Sequence, residues 1–126
     1  MNNFVIVPQP APGSFAFYLS AYQRLVEIIE DGYDMCIYEY TNDLHCRSAL
    51  QKMLNEGAAP SDDERKRLTR LDDRLRAMLI PAGRSIHGQY SEEYFWFYGV
   101  PRNAPEVLED MGLFITKVEA IRNDER

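Results

Sequence analysis

Apolar residues recur at spacings of three and four along most of the chain, which is the pattern of helices that bury one face. Four stretches show this pattern, and they extend over residues 14–31, 42–57, 61–81 and 103–121. Because the apolar stripes are narrow, we expect the helices to pack side by side at shallow crossing angles. The pattern predicts an all-α fold, a small bundle of about four amphipathic helices.

Residues typical of helix ends support these boundaries. Ser14 is a good N-cap for the first helix. Ser61 and Glu64 have the spacing of a capping box, in which each side chain accepts a hydrogen bond from the other residue's backbone amide. Asn103 is the expected N-cap of the last helix, and Gly112 inside it is expected to mark a close contact with another helix.

Five consecutive aromatic residues at 94–98 form the densest apolar stretch. Each aromatic side chain buries roughly 150–250 Å² in a core, so other elements must close around this segment. Gly99 can end a helix in the left-handed conformation, which favours a short aromatic helix. A strand is the alternative, because aromatic residues favour strands. The secondary structure of residues 33–40 also has two alternatives, since they fit either the start of a helix or an extended segment.

Residues 1–13 are predicted to form an extended N-terminal arm. An apolar run at 4–7 is followed by prolines at alternate positions, and these exclude a helix. The arm could dock on its own core or pair with a second subunit. We expect residues 14–126 to form a single helical domain, since a chain of 126 residues is long enough for one core.

Composition and charge exclude several classes of protein. A hydrophobic content of 45% is typical of a globular protein and not of a disordered one. The net charge of −6 makes nucleic acid an unlikely partner and an anionic membrane a poor one. No apolar run is long enough to span a membrane. Because there is no secretory leader and the two cysteines form no redox or metal motif, we expect reduced thiols in a cytoplasmic protein.

Candidate catalytic groups are few. His45 and Cys46 are neighbours, and neighbouring residues of a helix point to different sides, so they cannot act on each other. The spacing of histidines and acids matches no metal motif, so no metal and no cofactor is predicted. A pocket beside the aromatic segment would use His87, Tyr90 and Trp96. Whether the protein is an enzyme stays open, and the sequence favours that it is not.

Acidic residues and tyrosines concentrate in residues 27–43, which we call the acidic tyrosine segment. Its six acids and its lack of lysine and arginine give it a charge of −6, equal to that of the whole chain. Tyrosines anchor protein interfaces, and acids around them attract a basic partner. The alternative is that the tyrosines only cap the core. The predicted partner-binding residues are Asp31, Tyr33, Asp34, Tyr38, Glu39, Tyr40 and Asp43.

Basic residues on the third predicted helix form a second charged feature. Lys66, Arg70 and Arg74 recur every four residues and define the basic ridge. Asp72 and Arg76 are spaced as a surface ion pair on the same helix. We interpret the ridge as a solvated face, with a site for an anion or an acidic partner as the alternative.

The sequence favours a non-catalytic protein-binding or regulatory module whose basic protein partner meets the acidic tyrosine segment. Two alternatives stay open. One is a small enzyme or ligand-binding bundle with a pocket near residues 90–98. The other is a structural subunit of a homo-oligomer, such as a homodimer, that buries its surplus apolar surface between subunits.

Overall fold

Residues 10–112 are described by a computed structural model, and they are mostly helical, as the sequence predicts. The helices in this part of the chain are α1 (Phe15–Asp31), α2 (Ile37–Asp43), α3 (His45–Asn55), α4 (Asp62–Met78) and α5 (Pro105–Asp110). The other elements are a 3₁₀ turn (Phe95–Phe97) and two short strands, β1 (Leu79–Pro81) and β2 (Gly99–Pro101). The apolar run at 4–7 and residues 113–121 of the last predicted helix lie outside the described residues.

Only residues 10–13 of the predicted arm are described, and here the chain turns. The amide of Ser14 donates a hydrogen bond to the carbonyl oxygen of Ala11 at 3.0 Å, and Gly13 has a positive φ of 79°. The end of the arm is therefore a turn that leads into the first helix. Its prolines exclude a helix but permit this turn.

Helix α1 contacts both α3 and α4. It begins at Ser14, whose hydroxyl oxygen accepts a hydrogen bond from the amide of Phe17 at 3.1 Å, so the predicted N-cap is confirmed. Its apolar stripe faces the core, because burial of that stripe drives the packing of an amphipathic helix. The residues of the stripe that are fully buried are Leu19, Tyr22, Val26 and Ile29.

Helix α4 begins with the predicted capping box. The amide of Glu64 donates to the Ser61 hydroxyl at 3.2 Å, and the amide of Ser61 donates to the Glu64 carboxylate at 2.9 Å. The helix ends at Met78, three residues before the predicted boundary at Pro81. A residue before a proline is disfavoured in helical conformation, so Ile80 is extended, and β1 forms where the helix was expected.

Strands β1 and β2 pair antiparallel, with Gly99 opposite Pro81. The prediction that Gly99 ends a helix in the left-handed conformation is wrong. A Cβ atom at Gly99 would lie 2.8 Å from the Cβ of Leu79 and 3.2 Å from the carbonyl oxygen of Ile80. Glycine is needed here because the opposing strand approaches closely.

The short helix predicted for the aromatic segment is a single 3₁₀ turn, and residues 94–98 form no strand. Trp96 and Phe97 are fully buried, while Tyr94, Phe95 and Tyr98 are half-buried. Helix α4 and strand β2 pack against the turn. The expectation that other elements close around this segment is therefore confirmed.

The last helix also differs from its prediction at both ends. Its N-cap is Ala104, and the Asn103 amide group instead donates to the carbonyl oxygen of Ile29 at 2.7 Å. This bond gives a second donor to a carbonyl at the end of α1, which also accepts a hydrogen bond from the amide of Gly32 at 3.2 Å. Helix α5 ends at Asp110, and Gly112 follows it with a φ of 65°, so it marks a turn and not a helix contact. No helix within residues 10–112 has both the length and the apolar character needed to cross a membrane.

Candidate functional site

Two tyrosines of the acidic tyrosine segment belong to the core. Tyr33 and Tyr40 are fully buried, and their rings meet edge to face at 5.3 Å. The hydroxyl of Tyr33 donates a hydrogen bond to the carboxylate of Asp43 at 2.6 Å. The prediction that Tyr33 and Tyr40 contact a partner is therefore corrected, because both rings are inaccessible, and Asp43 is engaged within the fold.

Several other residues of the segment are exposed, and one of them carries a prominent aromatic ring. Tyr38 has an exposed fraction of 82%, the largest among the exposed large hydrophobic residues of the described chain. Helix α2 begins at Ile37, and Tyr40 lies three residues later on the same face, so Tyr38 points to another side. We call this region the Tyr38 surface, and its residues are Asp31, Asp34, Met35, Tyr38 and Glu39.

Helix α2 is held firmly enough to present that ring. It packs against α5, and the backbone amide of Ile37 donates a hydrogen bond to the carboxylate of Asp110 at 3.0 Å. Leu44, which follows the helix, is fully buried. The exposed Tyr38 therefore stands on a fixed element and not on a loose loop.

The basic ridge lies on the exposed face of α4, as the spacing predicts. Arg74 forms a fork with the carboxylate of Glu30 on α1, with an Nε–Oε2 distance of 2.9 Å. This hydrogen bonding lowers the pKa of Glu30 and raises that of Arg74. One acid of the acidic tyrosine segment is thus paired with the ridge, although an exposed pair of this kind contributes little to stability. Lys66 and Arg70 are exposed beside it.

A concavity of about 400 Å³ lies next to this ion pair. Its walls are largely apolar, and its charged groups are partly satisfied because Arg74 and Glu30 bind each other. The lining residues are Glu30, Arg74, Ala77, Met78, Arg102 and Asn103.

A second concavity, of about 290 Å³, lies between α3 and the loop before the 3₁₀ turn. Residues three, four and seven positions apart on a helix share one face, so the α3 residues form one continuous wall. Two tyrosines that precede the 3₁₀ turn form the other wall. We call this site the imidazole–tyrosine cleft, and it is lined by His45, Ser48, Ala49, Lys52, Tyr90 and Tyr94.

The cleft brings together residues that are distant in the sequence. The rings of His45 and His87 lie 5.6 Å apart, and His87 also stacks on Tyr90 at 6.1 Å with an angle of 15° between the rings. The hydroxyl of Tyr98 donates to the carbonyl oxygen of Tyr90 at 2.6 Å and fixes that loop. The sequence does not predict this contact, because nothing in the spacing of the two histidines links a helix to a loop 42 positions later.

Of the residues predicted to form the pocket, only Tyr90 lines the cleft, since the ring of His87 contacts those of His45 and Tyr90 without lining it. Trp96 is fully buried and does not line the cleft. Its indole Nε1 donates a hydrogen bond to the hydroxyl oxygen of Ser48 at 2.9 Å. Trp96 therefore supports the wall of the cleft from within the core.

A buried charged network lies behind that wall. Asp72 was expected to pair with Arg76 on the surface, but its carboxylate accepts hydrogen bonds from Arg47 Nε and Nη2, both at 2.9 Å, and from the Tyr22 hydroxyl at 2.7 Å. The Arg47 guanidinium also lies 4.2 Å from the ring centre of Trp96. Burial, and secondarily the charge of Asp72, raise the pKa of Tyr22. The network joins α1, α3 and α4, which is a structural role.

The thiol of Cys46 is not set up as a nucleophile. Its Sγ donates to the carbonyl oxygen of Asp43 at 3.1 Å, and burial raises its pKa to about 12. A reactive cysteine needs a lowered pKa and exposure, so the geometry disfavours thiolate chemistry here. Within residues 10–112, no three His, Cys, Asp or Glu side chains are grouped so that they could hold a metal ion.

Comparisons with models of known families, with curated proteins and with solved structures find no match to this chain.

Proposed function

We propose that this protein is a non-catalytic binding or regulatory module, a small cytoplasmic helical bundle whose Tyr38 surface engages a basic protein partner. One observation supports this proposal above the others. Tyr38 leaves 82% of its surface in solvent, on a fixed helix, while the two neighbouring tyrosines of the same segment are buried.

An exposed tyrosine on a rigid element is well suited to anchor an interface. Its ring offers a large contact area and loses little conformational freedom, since only two torsions must be fixed. Tyrosine is enriched among the few residues that carry most of the binding energy of interfaces. Met35, exposed nearby in the sequence, adds a flexible apolar side chain that adapts to a partner's shape.

The acids of the Tyr38 surface favour a partner that is positively charged. Asp31, Asp34 and Glu39 are exposed and form no ion pair with any residue in the described part of the chain, in contrast to Glu30. Unpaired exposed acids attract a positively charged surface and raise the rate of encounter. A symmetric dimer through the same surface is disfavoured, because it would place like charges opposite each other.

Affinity purification from a native extract, followed by mass spectrometry, would identify the partner, and surface plasmon resonance would then test the site. Tyr38→Ala should speed dissociation by about tenfold or more, because an anchoring ring acts mainly on the lifetime of a complex. Phe17→Ala is the matched control, since Phe17 is an exposed aromatic residue on α1, outside the surface.

The acids are tested separately by charge reversal. Asp34→Lys with Glu39→Lys should slow association and flatten its dependence on salt. The control, Glu92→Lys with Glu93→Lys, makes the same change of net charge at exposed acids outside the segment. If the first pair lowers the melting temperature sharply while binding per folded molecule is unchanged, the acids are structural and the proposal is wrong.

A further inference from the structure

We propose that the imidazole–tyrosine cleft binds a small planar aromatic carboxylate. This site is separate from the Tyr38 surface, and the inference does not depend on the function proposed above. It rests on the size of the cleft, on the aromatic side chains of one wall and on the hydrogen-bond donors of the other.

The size and the walls suit a ring of one or two cycles. A volume of about 290 Å³ lies at the lower end of small-molecule pockets and exceeds the roughly 150 Å³ cavity that holds benzene. The rings of Tyr90 and Tyr94 are half-buried, lie 5.0 Å apart and are tilted by 43°, so both contribute to one side of the cleft. A flat aromatic ligand can stack against such a surface, whereas a round aliphatic one would leave gaps.

The opposite wall offers donors. Lys52 contributes an exposed ammonium group, and His45 contributes an imidazole. The oxygen of Ser48 already accepts the hydrogen bond of Trp96 Nε1, which leaves its own O–H to donate. An ionised carboxylate only accepts hydrogen bonds and binds charged donors most strongly, so its chemistry complements this wall.

The charge of the residues that line the cleft is opposite in sign to the net charge of the whole molecule. The chain carries a net charge of −6, yet none of the described residues that line the cleft is acidic. The larger concavity is a poorer anion site, because the carboxylate of Glu30 is part of its lining and already occupies the guanidinium of Arg74. An anion is therefore expected in the smaller cleft.

Binding can be followed on the full chain through its single tryptophan. The Trp96 Nε1–H bonds to Ser48 in the cleft wall, so its NMR signal reports on that wall. Benzoate should shift this signal saturably, with a Kd of about 1 mM or below. Benzamide, which has the same shape without the charge, and acetate, which lacks the ring, should each bind about tenfold more weakly or worse.

Variants test the two walls independently. Lys52→Met removes the charge and keeps the apolar stem, so benzoate should bind about tenfold more weakly and approach the affinity of benzamide. Lys66→Met, an exposed lysine on α4, is the control and should change nothing. Tyr94→Leu should weaken benzoate and benzamide alike, because both lose the stacking surface. Circular dichroism verifies that each variant is folded.

Several results would overturn the proposal. The absence of a saturable shift with benzoate, or equal affinities for benzoate and benzamide, would refute an aromatic carboxylate site. Inorganic phosphate or acetate that binds as tightly as benzoate would show a general anion site without selectivity for a ring. A Lys52→Met variant that binds benzoate like the parent protein would place binding elsewhere.

Discussion

Arg47→Met removes the cation from a carboxylate that the fold has buried. Arg47 is only 5% exposed and Asp72 only 8%. In the parent protein the carboxylate accepts three hydrogen bonds, and two of them come from Arg47 at 2.9 Å. The variant leaves Asp72 with the single bond from Tyr22 and with no opposite charge beside it. Methionine replaces the aliphatic stem of arginine with an apolar side chain and removes the guanidinium, so the change leaves the carboxylate of Asp72 without its cation.

The magnitude follows from the burial of both partners. Removing one partner of a buried ion pair costs about 3–5 kcal/mol of stability, which is a large part of the 5–15 kcal/mol that is typical of a domain. Loss of the contact between the guanidinium and the Trp96 ring, at 4.2 Å, adds roughly 0.5–2 kcal/mol. The triple variant Arg47→Met, Asp72→Leu, Tyr22→Phe removes all the polar groups together. It should lose less stability than Arg47→Met alone, since it leaves no charge and no hydroxyl of the network unpaired.

Urea unfolding, followed by Trp96 fluorescence and by far-UV circular dichroism, measures both free energies, and coincident curves check that unfolding is two-state. Arg76→Met is the matched control. Arg76 lies over the Phe95 ring at 3.9 Å, but it is exposed, so its loss should cost about 1 kcal/mol or less. If Arg47→Met costs under about 1 kcal/mol, or if the triple variant loses more than the single one, the network is not the desolvated unit described above.

Two further predictions test the packing. Gly99→Ala should destabilise the fold by about 1–3 kcal/mol, because the new methyl group would meet Leu79; an unchanged urea midpoint would contradict this. Burial raises the pKa of Tyr22 and of Tyr40, so the folded state keeps protons that the unfolded state releases near its ordinary pKa of about 10. The free energy of unfolding should therefore be constant below that pH and fall above it, by up to about 1.4 kcal/mol per pH unit for each group. Tyr40→Phe should make this fall with pH less steep. A free energy of unfolding that stays constant up to about pH 11 would refute the argument.

Local signals predicted the starts of two long helices accurately. The Ser14 cap and the box of Ser61 with Glu64 act within one turn of the chain, so the residues that determine the structure are adjacent in the sequence. The end of α4 was harder to predict. It depends on Pro81, whose effect on Ile80 is local, and on pairing with a strand some 20 residues later, which no helical pattern reveals.

The Tyr38 surface was predicted only in part, because composition does not indicate which tyrosine rings are buried and which are exposed. Tyr33, Tyr38 and Tyr40 look alike in a count of tyrosines. Once the start of α2 at Ile37 is known, the three-residue spacing assigns Tyr40 to the buried face and Tyr38 to another. The missing information was one helix boundary, in a segment whose sequence allowed either a helix or an extended chain.

The pairing of Asp72 and the residues of the cleft could not be predicted for a different reason. The residues that meet at each site are distant from one another in the sequence. Asp72 had a basic residue at helical spacing, so a surface pair explained it without reference to Arg47, 25 positions away. His45 and His87 likewise meet only after the loop before the 3₁₀ turn folds back onto α3. A polar residue among leucines of a predicted core stripe, as Asp72 is between Leu71 and Leu75, is the signal that could have pointed to a buried pair.

The core network and the cleft share one side chain, and this connects stability with binding. The face of the Trp96 ring receives the Arg47 guanidinium, while its Nε1 holds the Ser48 hydroxyl in the cleft wall. Arg47 and Ser48 are neighbours on α3 that point in different directions, one into the network and one toward the cleft. A change at Arg47 should therefore shift the Trp96 signal even without ligand. In the described part of the chain, no side chain of the Tyr38 surface forms a hydrogen bond or an ion pair with Arg47, Ser48 or Trp96. Loss of the proposed aromatic carboxylate binding in Arg47→Met would thus reflect displacement of Trp96, while the proposed partner binding through Tyr38 should survive in the folded fraction.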